Sequence, residues 1–246
     1  MTKPVLMLLP GLLCDAAVWA GQQEALSGAN CLVPDYGELS SITEMARLVL
    51  RQAPQQNFWL AGHSMGGRVA LEVVRLAPER VSRLALLDTG LDPIAPGEAG
   101  ATEREGRERW LQLARQEGMR AMGRGWARGM VHPDHVDTPV FEAILDMVER
   151  KTPEIYAAQI EALLNRPDAR QVFAAVQCPV LLLCGRQDAW SPLARHEQMK
   201  ALRPGSELVV IEDSGHMAPM EQPRSVGAAL AEWLALPSAG RTASHG

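Results

Sequence analysis

Short apolar runs alternate with longer amphipathic stretches through the first part of the chain. Residues 5–9 are continuously apolar, which is typical of a strand buried on both faces of a parallel sheet. The predicted strands are residues 5–9, 31–33, 58–61 and 81–87, and the predicted helices between them are residues 16–26, 42–53 and 65–76. Strict alternation of strands and helices predicts a parallel sheet that is covered by helices on both faces.

The alternation stops after the fourth predicted strand and resumes about eighty residues later. Residues 91–170 contain no convincing strand; polar, arginine-rich segments with helical character and a glycine-studded segment fill this region. Beyond it we predict strands at residues 179–184 and 208–211, and helices at residues 193–202 and 223–234. This pattern favours an inserted helical segment between two halves of one sheet.

The predicted fold is therefore α/β, with a doubly wound, mostly parallel sheet of about six strands. Residues 1–90 and 171–236 are assigned to the core, and residues 91–170 to an inserted helical cap. Residues 237–246 are small and polar, so we expect a disordered tail there.

Length and charge exclude several classes of function. The 246 residues suffice for one well-buried domain with a small inserted subdomain. The net charge of −5 argues against a nucleic-acid surface, which needs a concentrated basic face. No apolar run approaches the roughly 18 residues of a membrane span, and the apolar run at the start of the chain is too short for a signal peptide. We expect a cytoplasmic protein that acts on a small molecule.

The four cysteines have neither the density of a disulfide framework nor the spacing of a zinc site. They are Cys14, Cys31, Cys178 and Cys184. We expect free, buried or partly buried thiols, as in a reducing cytoplasm. The sequence indicates no metal site and no cofactor.

A G-x-S-x-G motif lies between a predicted strand and a predicted helix, at Gly62, Ser64 and Gly66. A serine on a tight strand-to-helix turn has a strained backbone, and its neighbours must lack bulk so that strand and helix can pack closely. The hydroxyl then stands clear of the sheet beside the N–H groups that begin the helix. The alternative is an ordinary glycine-rich turn, which the flanking strand and helix disfavour.

A serine nucleophile needs a base, and the base needs an acid that orients it. His216 follows the strand at residues 208–211 on a loop that ends at the same sheet edge as Ser64, so we predict that it is the base. The competing histidines are His63, His132, His135, His196 and His245. Asp188, just past the strand at residues 179–184, is the predicted acid; Asp88, at the end of the preceding strand, is its rival.

Attack on an ester also needs N–H donors for the oxyanion. One is expected from Met65, the residue after the nucleophile. The loop after the first strand should supply the other, and we assign it to Leu12, with Leu13 as the alternative.

These motifs together resemble the α/β-hydrolase superfamily over nearly the whole chain. They are G-H-S-M-G-G at Gly62–Gly67, Gly185-Arg186-Gln187-Asp188, and Gly215-His216-Met217-Ala218-Pro219-Met220-Glu221-Gln222-Pro223. The resemblance implies a triad of Ser64, Asp188 and His216, with Met65 and Leu12 as oxyanion donors. Two departures are the Pro10-Gly11 pair, where the family usually has His-Gly, and a first strand equivalent to the family's third, so that two edge strands are expected to be missing.

The cap segments resemble small bacterial carboxylesterases, enol-lactonases and carbon–carbon bond hydrolases. Candidate substrate-binding side chains are Trp110, Trp126 and Trp190. Arg124 and Arg128 are predicted to form a solvated helical face, with a carboxylate-binding role as the alternative. Arg166 and Asp168 are interpreted as a structural ion pair or cap anchor.

The predicted function is a serine carboxylesterase that cleaves small esters through an acyl-enzyme. The alternative within enzymes is an enol-lactone or carbon–carbon bond hydrolase of aromatic degradation. The alternative outside enzymes is a small-molecule receptor on the same fold, against which the intact triad argues.

Overall fold

Six parallel strands form one sheet in the computed structural model of the chain, which describes residues 3–235. The strands are β1 (Val5–Leu9), β2 (Asn30–Leu32), β3 (Phe58–His63), β4 (Val81–Leu87), β5 (Val180–Gly185) and β6 (Glu207–Ile211). Their spatial order is β2-β1-β3-β4-β5-β6, and every neighbouring pair is parallel. The predicted fold class and the strand number are confirmed. The predicted tail, residues 237–246, lies outside the described residues.

Helices cover both faces of this sheet. The helices of the core are α1 (Ile42–Gln52), α2 (Met65–Leu76), α8 (Leu193–Leu202), α9 (Ala218–Glu221) and α10 (Pro223–Ala235). The five helices between β4 and β5 take the intervening numbers and are described below. Strand β2 lies on one side of β1, and β3 to β6 follow in order on its other side. Because each crossover is right-handed, the β1–β2 connection lies on the face of the sheet opposite α1 and α2. The β1–β2 connection accordingly packs against α10, whereas α1 packs against α2.

The connection from β1 to β2 differs from its prediction. Instead of a helix over residues 16–26, the structure has a 3-10 helix at Ala16–Gln22. A local cap and a tertiary contact fix its two ends: the Asp15 carboxylate accepts the Ala17 N–H (2.8 Å), and Gln22 donates to the carbonyl of Pro219 (2.7 Å). Apolar spacing alone could not reveal these contacts.

The described chain between β4 and β5 consists of helices and loops. Its helices are α3 (Glu98–Glu117), α4 (Met119–Ala127), α5 (Pro139–Glu149), α6 (Pro153–Leu164) and α7 (Arg170–Ala174). Of the glycine-studded segment, Gly123 and Gly125 lie in α4 and Gly129 follows this helix. A Cβ built at Gly123 would lie 3.1 Å from Val148 of α5, so this glycine allows the two helices to pack closely. We call Glu98–Leu164 the inserted segment.

The cysteines and the hydropathy of the helices complete the description of residues 3–235. All four cysteines are free, two of them buried and two partly buried. No described helix combines the length and the apolar character that crossing a bilayer requires.

Candidate active site

Ser64 lies on a strained turn between β3 and α2. Its backbone has φ 54° and ψ −116°, a region that non-glycine residues rarely adopt. A Cβ built at Gly62 would lie 2.4 Å from the carbonyl oxygen of Gly66, and one built at Gly66 would lie 2.1 Å from that of Leu9. Both glycines are therefore needed for α2 to approach β3 and β1 so closely.

Three side chains from distant parts of the chain meet at the carboxyl edge of the sheet. The Ser64 Oγ lies 2.8 Å from Nε2 of His216, and Nδ1 of His216 lies 2.9 Å from Oδ2 of Asp188. Ser64 follows β3, Asp188 follows β5 and His216 follows β6, and the carboxyl ends of parallel strands share one edge. With Nδ1–H donated to the carboxylate, Nε2 is free to accept the serine proton.

The surroundings of Asp188 keep its carboxylate ionised. Burial opposes the charge, but the His216 imidazole and the N–H groups of Ser191 and Trp190 outweigh it and lower the pKa to about 2. Both N–H groups donate to Oδ1 at 2.8 Å, which leaves Oδ2 for His216. The carboxylate is thus held in one orientation and at full charge.

Asp88, the rival acid, does not bind His216. Its Oδ1 accepts the Gly185 N–H (2.9 Å), and its Oδ2 has no hydrogen-bond partner among residues 3–235. Complete burial and the nearby charge of Asp188 raise the pKa of Asp88 well above the usual range, so its carboxyl group is neutral.

His63 contacts the catalytic loop in a way that its sequence position did not predict. This histidine was one of the candidates for the base, but its Nε2 lies 2.8 Å from the carbonyl oxygen of His216. Burial and the charge of His216 lower its pKa to about 3, so His63 is neutral and donates that hydrogen bond.

The remaining described histidines lie away from the Ser64 hydroxyl. His196 is buried on α8 and accepts the Thr89 N–H, and His135 pairs with Glu221. His132 donates its backbone N–H to the same carboxylate. His245 lies outside the described residues.

The start of α2 and the loop after β1 present N–H groups beside Ser64. Met65 is the first residue of α2, so its N–H has no partner within the helix. The Leu13 N–H donates to Oε1 of Gln159 on α6 (2.9 Å), whereas Leu12 lines the cavity in front of Ser64. Between the two leucines, the geometry therefore favours Leu12 as a donor to substrate.

A cavity of about 260 Å³ opens at Ser64 and His216, between the sheet edge and the inserted segment. Trp126 and Trp190 line it, with ring centroids 5.2 Å apart, and the Trp190 ring lies 5.3 Å from that of His216. Trp110 is not among the lining residues; it packs over Gly125. Two of the three predicted tryptophans are thus positioned to contact a substrate.

The cavity also contains arginines other than the predicted ones. Arg124 and Arg128 lie on the surface and pair with Glu142 and Asp137, as expected of a solvated face. Arg166 does not pair with Asp168, which instead accepts the Arg170 N–H. The charged residues that line the cavity are Arg68, Glu103, Arg107, Arg166 and Arg195.

Part of this charged lining could have been found in the sequence. Arg68 follows Ser64 by four residues and lies in the first turn of the predicted helix, so its closeness to Ser64 could be expected. Arg195 comes from α8 and reaches the cavity only because β4 and β5 are neighbours in the sheet. No local pattern marks it.

One described group could in principle ligate a metal: the side-chain donor atoms of Asp88, Cys184 and Asp188 lie within 4.8 Å of one another. Burial raises the pKa of the Cys184 thiol, and the Asp88 carboxyl is neutral. A metal would need both deprotonated. Asp188 already binds His216, so this group is a poor metal site.

Comparison with known proteins identifies relatives over nearly the whole chain. A family model described as "alpha/beta hydrolase fold" matches residues 4–223. Among curated proteins, the 2-succinyl-6-hydroxy-2,4-cyclohexadiene-1-carboxylate synthase of Salmonella agona is 26% identical over an alignment of 246 positions. The alignment covers 95% of this chain and 94% of that protein.

Solved structures show the same architecture. A thermophilic esterase from Thermogutta terrifontis, described as malate bound, is 31% identical with a TM-score of 0.84, covering 95% of this chain and 90% of that one. The enol-lactonase from Burkholderia xenovorans LB400 has a TM-score of 0.81 and covers 95% of this chain and 92% of that one. Because its identity is only 21%, it supports the fold alone.

Proposed function

The chain belongs to the alpha/beta hydrolase fold family, and from this premise we propose that it is a serine hydrolase of small carboxylic esters. The observation that carries the proposal is the continuous hydrogen-bonded relay from Ser64 Oγ through His216 to Asp188, with steps of 2.8 and 2.9 Å. This relay has the contacts that activate a serine hydroxyl.

In the acylation step, Ser64 Oγ attacks the ester carbonyl carbon while its proton passes to Nε2 of His216. The negative charge that develops on the carbonyl oxygen is bound by the N–H groups of Met65 and Leu12. The tetrahedral intermediate then expels the alcohol, which takes the proton from His216. The acyl group remains on Ser64.

In the deacylation step, His216 removes a proton from water, and the resulting hydroxide attacks the acyl carbon. Collapse of the second intermediate releases the carboxylic acid and returns the proton to Ser64 Oγ. Throughout, the ionised Asp188 stabilises the imidazolium and holds its tautomer. Atoms and charge balance without any cofactor.

We also propose that residues 91–170 act as a cap. Trp126 and Met130 of this region line the cavity together with Ser64 and His216. A roof of this kind shields the developing charges from bulk solvent and selects the substrate by shape.

The test is hydrolysis of 4-nitrophenyl esters of increasing acyl length, and of lactones, by the wild type and by Ser64→Ala. We expect Ser64→Ala to lower kcat by about 10⁴-fold or more. Ser41→Ala is the control, because the Ser41 side chain makes no capping hydrogen bond at α1. A fluorophosphonate should label the wild type at Ser64, as shown by mass spectrometry of the peptide.

Other results of these experiments would favour a different function. Ester hydrolysis that survives in Ser64→Ala would overturn the nucleophile, and absence of labelling would favour a receptor. Fast opening of enol-lactones with slow hydrolysis of every ester would favour a lactonase.

A second candidate is the reaction of the Salmonella synthase, whose named product carries a carboxylate and a succinyl group. The arginine-lined cavity favours this candidate. Formation of that product by the wild type, and its loss in Ser64→Ala, would establish it over ester hydrolysis.

A further inference from the structure

The cavity at Ser64 has an excess of positive charge. Four arginines and one glutamate line it, in a chain whose net charge is −5. These residues are Arg68, Arg107, Arg166, Arg195 and Glu103. Charged side chains in a partly buried site are normally paired, so this excess of positive charge needs an explanation.

Two of the arginines pair with the one glutamate in the cavity wall. Glu103 binds Arg166 (2.7 Å) and Arg107 (2.9 Å). Although burial opposes the Glu103 charge, these guanidinium groups lower its pKa to about 2. Glu103, Arg107 and Arg166 therefore form a structural ion cluster in which one positive charge remains in excess.

Arg68 and Arg195 have no carboxylate partner within residues 3–235. Their hydrogen-bond acceptors are backbone carbonyls, that of Asp92 for Arg68 and that of Trp190 (3.2 Å) for Arg195. The Asp92 carboxylate is bound to Arg170 at 2.6 Å. Asp188, the other acid near the cavity, is bound to His216.

The two guanidinium groups converge on one point beside Gly90. A Cβ built at Gly90 would lie 3.3 Å from Nη2 of Arg68 and 3.3 Å from Nε of Arg195. Burial and the charges of Arg166 and Arg195 lower the pKa of Arg68 to about 9, and the charges of Asp92 and Glu103 oppose this shift only in part. The glycine leaves room for the Arg195 side chain, whose Cδ lies 2.5 Å from the built Cβ, so both guanidinium groups reach this part of the cavity wall.

We propose that Arg68 and Arg195 form a subsite for a carboxylate group of the substrate. The substrate class is then a small ester or lactone that carries a carboxylate a few bonds from its scissile carbonyl. This inference rests on the proposed hydrolase function, because it takes the acyl group to be held at Ser64.

Geometry and energetics favour this assignment. Arg68 lies in the first turn of α2, four residues after Ser64, and both residues line the cavity. A carboxylate bound to two guanidinium groups accepts charge-assisted hydrogen bonds, which are about twice as strong as neutral ones. Its charge also relieves the mutual repulsion of the two arginines in a partly buried cavity.

The experiment compares two substrates with the same leaving group and carbon-chain length, mono(4-nitrophenyl) glutarate and 4-nitrophenyl pentanoate. The measured quantity is the ratio of kcat/KM for the glutarate to that for the pentanoate. We expect the wild type to prefer the glutarate, and Arg68→Gln and Arg195→Gln each to lower the ratio by about 10- to 100-fold. Arg124→Gln, which removes the same charge from an exposed ion pair outside the cavity, should leave the ratio unchanged.

A ratio that is the same in the wild type, Arg68→Gln and Arg195→Gln would overturn the subsite while leaving the hydrolase proposal intact. If neither ester is cleaved, calorimetric titration of Ser64→Ala with glutarate still tests the subsite. Saturable binding that is lost on adding either Arg→Gln substitution supports it; no saturable binding overturns it. Circular dichroism of each variant verifies that it is folded.

Discussion

At the residue scale, two neighbouring aspartates have opposite ionisation states. Asp188 is ionised because His216 and two N–H groups stabilise its charge, with a pKa of about 2. Asp88 is neutral because burial and the charge of Asp188 raise its pKa. Two carboxylates this close in a dry site cannot both ionise at low cost, so the one with more donors takes the charge.

This difference predicts different effects of the same substitution. Asp188→Asn should lower kcat by about 10⁴-fold, since an amide at this position favours the wrong tautomer of His216. Asp88→Asn should leave kcat close to that of the wild type, because Asn mimics a neutral carboxyl and tolerates the φ of 48° at this position. Steady-state ester hydrolysis by the two variants provides the measurement. A loss in Asp88→Asn as large as that in Asp188→Asn would move the acid role to Asp88.

At the scale of elements, the loop between β6 and α9 holds His216 through contacts with the inserted segment. Glu221 accepts the N–H groups of Gly215 (2.9 Å) and Met217 (3.1 Å) with Oε1, and that of His132 (2.6 Å) with Oε2. The His216 N–H itself donates to the carbonyl of Met130 at 2.5 Å. His216 is therefore positioned by residues on both sides of the cavity.

Glu221→Gln should weaken this positioning. The amide nitrogen of Gln would face N–H donors, and each buried donor left unsatisfied costs about 1–3 kcal/mol. We expect a lower free energy of unfolding by about 2–3 kcal/mol and a fall in kcat that exceeds any change in KM. Urea denaturation and ester kinetics measure the two effects.

Glu212→Gln serves as the matched control, since Glu212 lies on the loop that carries His216 and pairs with Arg186 at the surface. It should change neither quantity appreciably. Equal effects of the two substitutions would mean that the Glu221 contacts do not position His216.

At the scale of the whole molecule, the inserted segment and the sheet share one hydrophobic core. Leu13 of the core and Ile144 and Leu145 of α5 are fully buried members of the same cluster. Polar contacts join the same regions: Gln159 binds the N–H of Leu13, and Arg150 pairs with Asp15 at 2.8 Å. A shared core couples the stability of the two parts.

The chain should therefore unfold in urea as one cooperative unit. Ile144→Ala in the inserted segment and Leu182→Ala in β5 each delete a fully buried side chain. Each should lower the midpoint of a single transition, at a cost of about 2–5 kcal/mol. Leu202→Ala, at a position that is 44% exposed, is the control and should shift the midpoint little. Two transitions, of which Ile144→Ala shifts only one, would show that the inserted segment unfolds independently.

The sequence alone determined most of the helices and strands and the order of the candidate catalytic residues along the chain. Helix α2 and strand β4 have the predicted bounds, because their apolar spacing and the glycines and prolines at their ends are local signals. The triad residues could be chosen because a serine on a strand-to-helix turn and side chains past later strands must share one sheet edge. The family resemblance carried by these motifs is confirmed.

Only the tertiary structure decided which distant side chains meet in the cavity. It brought Arg195 beside Arg68, left Trp110 out, and set His63 against the backbone of His216. Local periodicity records which face of an element is buried, but it carries no information about what the opposite element presents there. The charge of the cavity, and with it the proposed substrate, follows from strand order and helix packing and from no single stretch of the chain.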